Sequence, residues 1–142
     1  MGGVARFMHV SPLRFRTDWR EAFGDVAVPA LPALPRRATV GSAGYDFFSP
    51  LAITLAPGAC VRIPTGVRAR INDGWVLMLF PRSGLGFKYR LQLNNTVGIV
   101  DADYFGARNE GHIFIKLTNA GDRPMTVGQA RPLPRGCSCP LG

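Results

Sequence analysis

Asn95 to Gly106, Asn-Thr-Val-Gly-Ile-Val-Asp-Ala-Asp-Tyr-Phe-Gly, brings together the residue types best suited to chemistry in this chain. Asn95, Val97 and Ile99 alternate with their neighbours as in a strand, and Val100 ends it. Gly98 interrupts the pattern, and an isolated strand glycine marks a bulge or a close approach of another group to the backbone. Asp101 and Asp103 follow, then the ring of Tyr104 and the turn glycine Gly106. A hairpin of this kind offers backbone donors and acceptors, a carboxylate and a stacking ring to one small planar ligand. An ordinary hairpin with a polar turn would use the same residues, and one short motif does not decide between them.

Two other stretches carry chemistry. Ser42-Ala43-Gly44-Tyr45-Asp46 sets an acid directly after a small-residue turn. Pro81-Arg82-Ser83-Gly84-Leu85-Gly86 follows a nearly all-apolar strand, and its arginine, hydroxyl and glycine amides form a loop able to bind an anion. A plain turn is the alternative for each. Cys60, Cys137 and Cys139 have no zinc-site spacing. His9 and His112 stand alone and are read as structural or surface residues.

The elements that must hold these stretches are short. Ala5 to Val10 reads as a first strand. Ser11-Pro12 opens a helix over Leu13 to Phe23, with serine at the N-cap and proline in the first turn. Phe15, Trp19 and Phe23 recur at helical spacing, a packing stripe that ends at Gly24. Val28 to Arg37, with Pro29, Pro32 and Pro35, is an extended connector. Strands are then expected at Tyr45–Phe48, Ile53–Leu55, Cys60–Pro64, Val67–Ile71, Trp75–Phe80, Leu91–Asn94, Val97–Val100, His112–Thr118 and Met125–Val127. Pro57-Gly58, Thr65-Gly66 and Asp73-Gly74 supply turns. Strands this short and dense mean an antiparallel sandwich or barrel.

At 142 residues and 46% hydrophobic content the chain reads as one globular domain. It has no apolar run long enough to span a bilayer and no signal-peptide core near its start, so a cytoplasmic protein is expected, or one of the host cytoplasm if phage-encoded. The net charge of +8 comes mostly from arginines scattered along the chain. That favours a solvated basic surface over nucleic-acid binding.

Together the three stretches resemble the motifs of the trimeric dUTP pyrophosphatase (dUTPase) family. Ala43-Gly44-Tyr45-Asp46 is similar to its first motif, Pro81-Arg82-Ser83-Gly84-Leu85 to its second and Asn95 through Gly106 to its third. The likeness extends through Leu34–Thr39, Pro64-Thr65-Gly66 and Lys116-Leu117-Thr118-Asn119. It covers most of residues 34 to 130, and the N-terminal strand and helix look like those of some bacterial and phage members.

The resemblance implies an all-β, distorted jelly-roll (β-clip) fold with a short N-terminal helix, forming a homotrimer with sites at subunit interfaces. It implies hydrolysis of dUTP to dUMP and pyrophosphate. Asn95, Gly98, Ile99 and Val100 would read uracil through the backbone. Tyr104 would stack on deoxyribose and exclude a 2′-hydroxyl, and Asp101 would activate water for attack on the α-phosphorus. Arg82, Ser83 and Gly84 of a neighbouring subunit would hold the phosphates. Asp46 and Asp103 would support the site, and Mg²⁺ would be held by phosphate oxygens and water with no direct protein ligand.

The likeness divides the chain into residues 1–33 (strand, helix and connector), a β domain at 34–130 and a divergent tail at 131–142. After Val127-Gly128-Gln129-Ala130, the run Arg131-Pro132-Leu133-Pro134 is expected to bar a paired central strand, because closely spaced prolines remove donors. The family's fourth motif, a strand with a phosphate-binding glutamine, and its fifth, a glycine- and serine-rich lid, have no counterpart in this tail. A shifted reading frame would produce such a change. The alternative function is then a dUTPase-fold regulator that binds nucleotide or protein with impaired catalysis. The related dCTP deaminase branch shares the fold, but the Tyr104-bearing motif argues against it.

Overall fold

Short alternations of apolar and polar residues between glycine turns become antiparallel strands here. The computed structural model describes residues 3–140. In chain order the elements are β1 (Ala5–His9), α1 (Pro12–Phe23), β2 (Tyr45–Phe48), β3 (Ile53–Leu55), β4 (Cys60–Pro64), β5 (Val67–Ile71) and β6 (Trp75–Phe80). There follow α2 (Ser83–Tyr89), β7 (Leu91–Leu93), β8 (Gly98–Val100), a 3₁₀ turn (Ala102–Gly106), β9 (Phe114–Asn119), β10 (Met125–Val127) and β11 (Pro132–Pro140). The strands pair as β1-β5, β3-β10, β4-β9-β7 and β2-β11-β6-β8. Every pairing is antiparallel.

The inward faces close on one apolar core that includes Phe47, Ile63, Leu77, Leu79, Leu91, Ile115, Leu117 and Leu133. A smaller cluster of Val10, Phe15 and Trp19 seats α1, with Phe23 and Leu31 packed against it. The aromatic stripe of α1 is therefore packing, and Trp19 Nε1 also donates to the Val26 carbonyl at 3.1 Å. Ser11 caps the helix by accepting from Arg14 N at 3.1 Å. The proline-rich connector forms no strand, only an isolated bridge from Arg36 to Asp46.

Three expectations need correction. Asn95–Gly106 is not a hairpin. β7 pairs with β9 and β8 with β6, so the segment carries the chain from one sheet to the edge of another. Thr96, at φ 66, makes the corner, its N–H donating to the Leu93 carbonyl at 3.0 Å.

The loop after β6 contains α2, whose residues include no buried one, so no apolar period announces the helix.

The tail supplies a paired strand. β11 lies between β2 and β6, and Leu133 is fully buried. Its prolines sit where a ladder tolerates them. Pro132 opens the strand opposite Phe48, and the register shifts between Pro132 and Arg135, which takes in Pro134. From Arg135 to Pro140 the strand then matches Phe80 to Trp75 of β6 without a break.

Candidate active site

β8 is the edge strand of its sheet, so its outer side has no strand partner among the described residues. Its inner side is fixed by β6, with Gly98 opposite Leu79. A Cβ on Gly98 would lie 3.1 Å from the Cβ of Leu79, so a side chain there would crowd the sheet. Asn95, Gly98, Ile99 and Val100 line a recess of about 190 Å³ together with Tyr104 and Phe114.

Tyr104 reaches that recess from the 3₁₀ turn. Its hydroxyl donates to the His112 carbonyl at 2.6 Å and accepts from Asn109 Nδ2 at 2.9 Å, so two hydrogen bonds anchor the phenol end of the ring. The carboxylate of Asp101 is exposed and does not fold back to cap the turn, which is closed by its backbone carbonyl accepting from Tyr104 N at 3.2 Å. An acid left facing water is what a general base needs. Asp103 is likewise exposed, in the first turn of the same element.

Arg82, Ser83 and Gly84, the residues expected to bind an anion, lie elsewhere on the chain's surface. Arg82 and Gly84 line a second recess, of about 480 Å³, with Thr126, Gly128 and Arg131. Ser83 is exposed and is not part of that wall. Arg131 is placed by a locked turn. Its N–H donates to the Gly128 carbonyl at 3.2 Å, Ala130 takes φ 59, and Ser49 bonds to both Ala130 and Arg131 at 2.9 Å. The two recesses have no wall residue in common.

Asp46 on β2 is buried, and a buried carboxylate must be paired. Arg135 of β11 donates through Nε to Oδ1 at 2.9 Å, and Arg82 Nε stands 3.8 Å from the same oxygen. Gly44 makes room for this arrangement, because a Cβ there would lie 2.4 Å from Arg135 Cγ. Reading the chain by motif passes over Arg131, Arg135, Thr126 and Asn109. The signals that could have found them are the glycines Gly44 and Gly128, which leave space for an arginine chain.

His112, fully buried, is held below its ordinary pKa by desolvation, partly offset by its bond to Asp18. Two hydrogen bonds from Ser11 hold the Glu110 carboxyl below the usual carboxylate range. His9 Nε2 bonds to the Pro32 carbonyl at 2.8 Å. Neither histidine lines either recess. Among the described residues no helix is long and apolar enough to cross a membrane.

A family model described as dUTPase matches residues 32–131. The deoxyuridine 5′-triphosphate nucleotidohydrolase of Lactococcus lactis is 36% identical over 109 residues, 76% of this chain and 73% of that protein. The corresponding protein of Actinobacillus pleuropneumoniae serotype 5b is 43% identical over 97 residues, 66% of this chain and 61% of its own length. Against most of the first such relatives the chain therefore spans about three-fifths of their length. The crystal structure of dUTPase from Streptococcus mutans matches with 36% identity and a TM-score of 0.69, over 85% of this chain and 94% of that one. The dUTPase of phage phi11 of S. aureus shares the fold at 19% identity and a TM-score of 0.72, over 99% of this chain and 92% of that one.

Proposed function

The chain belongs to the dUTPase family, and from that membership we propose that it hydrolyses dUTP to dUMP and pyrophosphate. The observation that carries this reading is Tyr104. Anchored through its hydroxyl, it turns a ring into the same recess that the β8 backbone lines. A planar base reading backbone groups at a free sheet edge, with its sugar against a fixed ring, suits those walls. A rigid ring also leaves no space for a 2′-hydroxyl.

Asp101 accepts a proton from water, whose oxygen bonds to the α-phosphorus. The bond from that phosphorus to the bridging oxygen of the β-phosphate breaks, and pyrophosphate leaves. Arg82, the Gly84 amide and Arg131 neutralise charge on the β- and γ-phosphates as it builds. Buried Asp46 holds Arg82 and Arg135 in place. A bound Mg²⁺ would be held by the triphosphate oxygens and water and would supply positive charge beside the phosphates that Arg82, the Gly84 amide and Arg131 face. Among the described residues no three His, Cys, Asp or Glu side chains gather to hold a metal.

A homotrimer completes the site. The separation of the Tyr104 recess from the Arg82 recess supports a site shared between subunits, and Phe87 and Val40, 90% and 96% exposed, are apolar groups suited to burial in such an assembly.

The test is pyrophosphate release from dUTP with Mg²⁺, beside dCTP, dTTP and UTP, with Asp101→Asn as control. Release from dUTP alone, falling by at least about a hundredfold in the control, is expected. Binding of dUTP without release by the unaltered chain would refute hydrolysis.

A further inference from the structure

His112 joins three pieces of chain in the interior. Its Nε2 accepts from the Gly66 backbone N–H at 2.8 Å, which leaves the proton on Nδ1, and Nδ1 donates to Asp18 Oδ2 at 2.6 Å. Asp18 belongs to α1, is itself buried, and pairs with Arg14 Nη1 at 3.4 Å. Two turns earlier, Ser11 donates through its backbone N–H and its hydroxyl to the two oxygens of Glu110, at 2.8 and 2.7 Å. Helix α1 thus grips the segment from Glu110 to His112 at both ends.

That segment, with Asn109 beside it, is what holds Tyr104. The phenol is bonded to the His112 carbonyl and to the Asn109 side chain, whose Oδ1 in turn accepts from Gly111 N at 3.1 Å. Gly111, at φ +69, lets the segment lie directly on the 3₁₀ turn, where a Cβ would fall 2.6 Å from the Tyr104 carbonyl oxygen. Every polar contact of the phenol therefore runs through chain that α1 fixes. The residues of α1 precede the segment 32–131 that the family model matches.

We propose that Asp18 and His112 are positioning residues for Tyr104, so that the N-terminal helix sets the discrimination between deoxyribose and ribose substrates. The inference rests on the reading of Tyr104 as the sugar-stacking ring. A side chain fixed by a second layer of hydrogen bonds holds its geometry more tightly than one fixed by its own contacts alone. A ring that tilts loses both the stack and the steric exclusion.

The experiment compares wild type, Asp18→Ala and Asp18→Asn for kcat and KM on dUTP and UTP. Asp18→Ala is expected to raise KM for dUTP about tenfold and to lower the dUTP-to-UTP ratio of kcat/KM about tenfold, with kcat within about twofold. Asp18→Asn, whose amide oxygen still accepts from Nδ1–H, is expected to restore both. A folded Asp18→Ala with the wild-type ratio overturns the proposal. If Asp18→Ala does not fold, Glu110→Ala releases only the outer grip. It should lower the ratio about threefold, and an unchanged ratio there overturns the proposal equally. Should the wild type release no pyrophosphate, the functional reading falls by itself. The ratio is then read as dUMP against UMP affinity by calorimetry, where equality between wild type and variant overturns the positioning role.

Discussion

Arg82 and Arg131 stand far apart in the sequence yet line one recess, and the reason differs for each. Arg82 is drawn toward the buried carboxylate of Asp46, whereas Arg131 is aimed by the Gly128–Arg131 turn. Asp46 in turn needs a cation at its oxygen, and Arg135 meets that need more closely than Arg82, at 2.9 against 3.8 Å. Arg82 is thereby left a long, weak contact and can turn to an anion in the recess. Arg131 is exposed, so a bond from it to a phosphate would be screened and worth about 1 kcal/mol rather than the larger value of a buried pair. Arg131→Ala is accordingly expected to weaken dUTP binding about fivefold while leaving dUMP unchanged, read by calorimetry with a catalytically silent Asp101→Asn background. Equal losses for the two nucleotides would place Arg131 away from the outer phosphates.

Strand β11 shows what a composition rule leaves out. Pro132 and Pro134 argue against a central strand when counted, but position decides: one opens the strand and the other falls in the register shift. Leu133 between them is fully buried in the core, so Leu133→Ala should cost about 2–5 kcal/mol, measured by urea unfolding at fixed protein concentration. A loss under about 0.5 kcal/mol would mean that the strand does not pack. The strands from β2 to β6 were legible to the residue because each is a short apolar or alternating run bounded by turn residues. The helix α2 was not, because none of its residues is fully buried and only Leu85 and Tyr89 pack on the core, too few to set a period. Asn95–Gly106, several of whose residues line one recess, reads as a hairpin in sequence but is not one, since sequence shows where a strand ends but not which sheet receives the next. Tyr104 and Asp101 could be named from type and spacing. Their supports, Asn109, His112 and Asp18, could not, because contacts between distant residues leave no local pattern.

A site divided between copies of one chain makes a prediction that no single-chain site can satisfy. The recess with Tyr104 and the recess with Arg82 have separate walls in one chain, and closed rotational symmetry lets the same pair of surfaces meet at each interface. Asp101→Asn and Arg82→Ala should each be inactive alone. Co-refolded in equal amounts, they form interfaces in which an intact Asp101 faces an intact Arg82 at about a quarter of the sites, by random assortment. Pyrophosphate release should therefore recover to about a quarter of the wild-type rate, from two components that have none. If Asp101 and Arg82 of one chain served the same site, every site in the mixture would lack one of them, and no recovery would follow. Mixing folded proteins without refolding measures in addition how fast subunits exchange. Activity that rises only after denaturation and renaturation would show a trimer held closed by its own interfaces, with the exposed Phe87 and Val40 as the first residues to replace in loosening it.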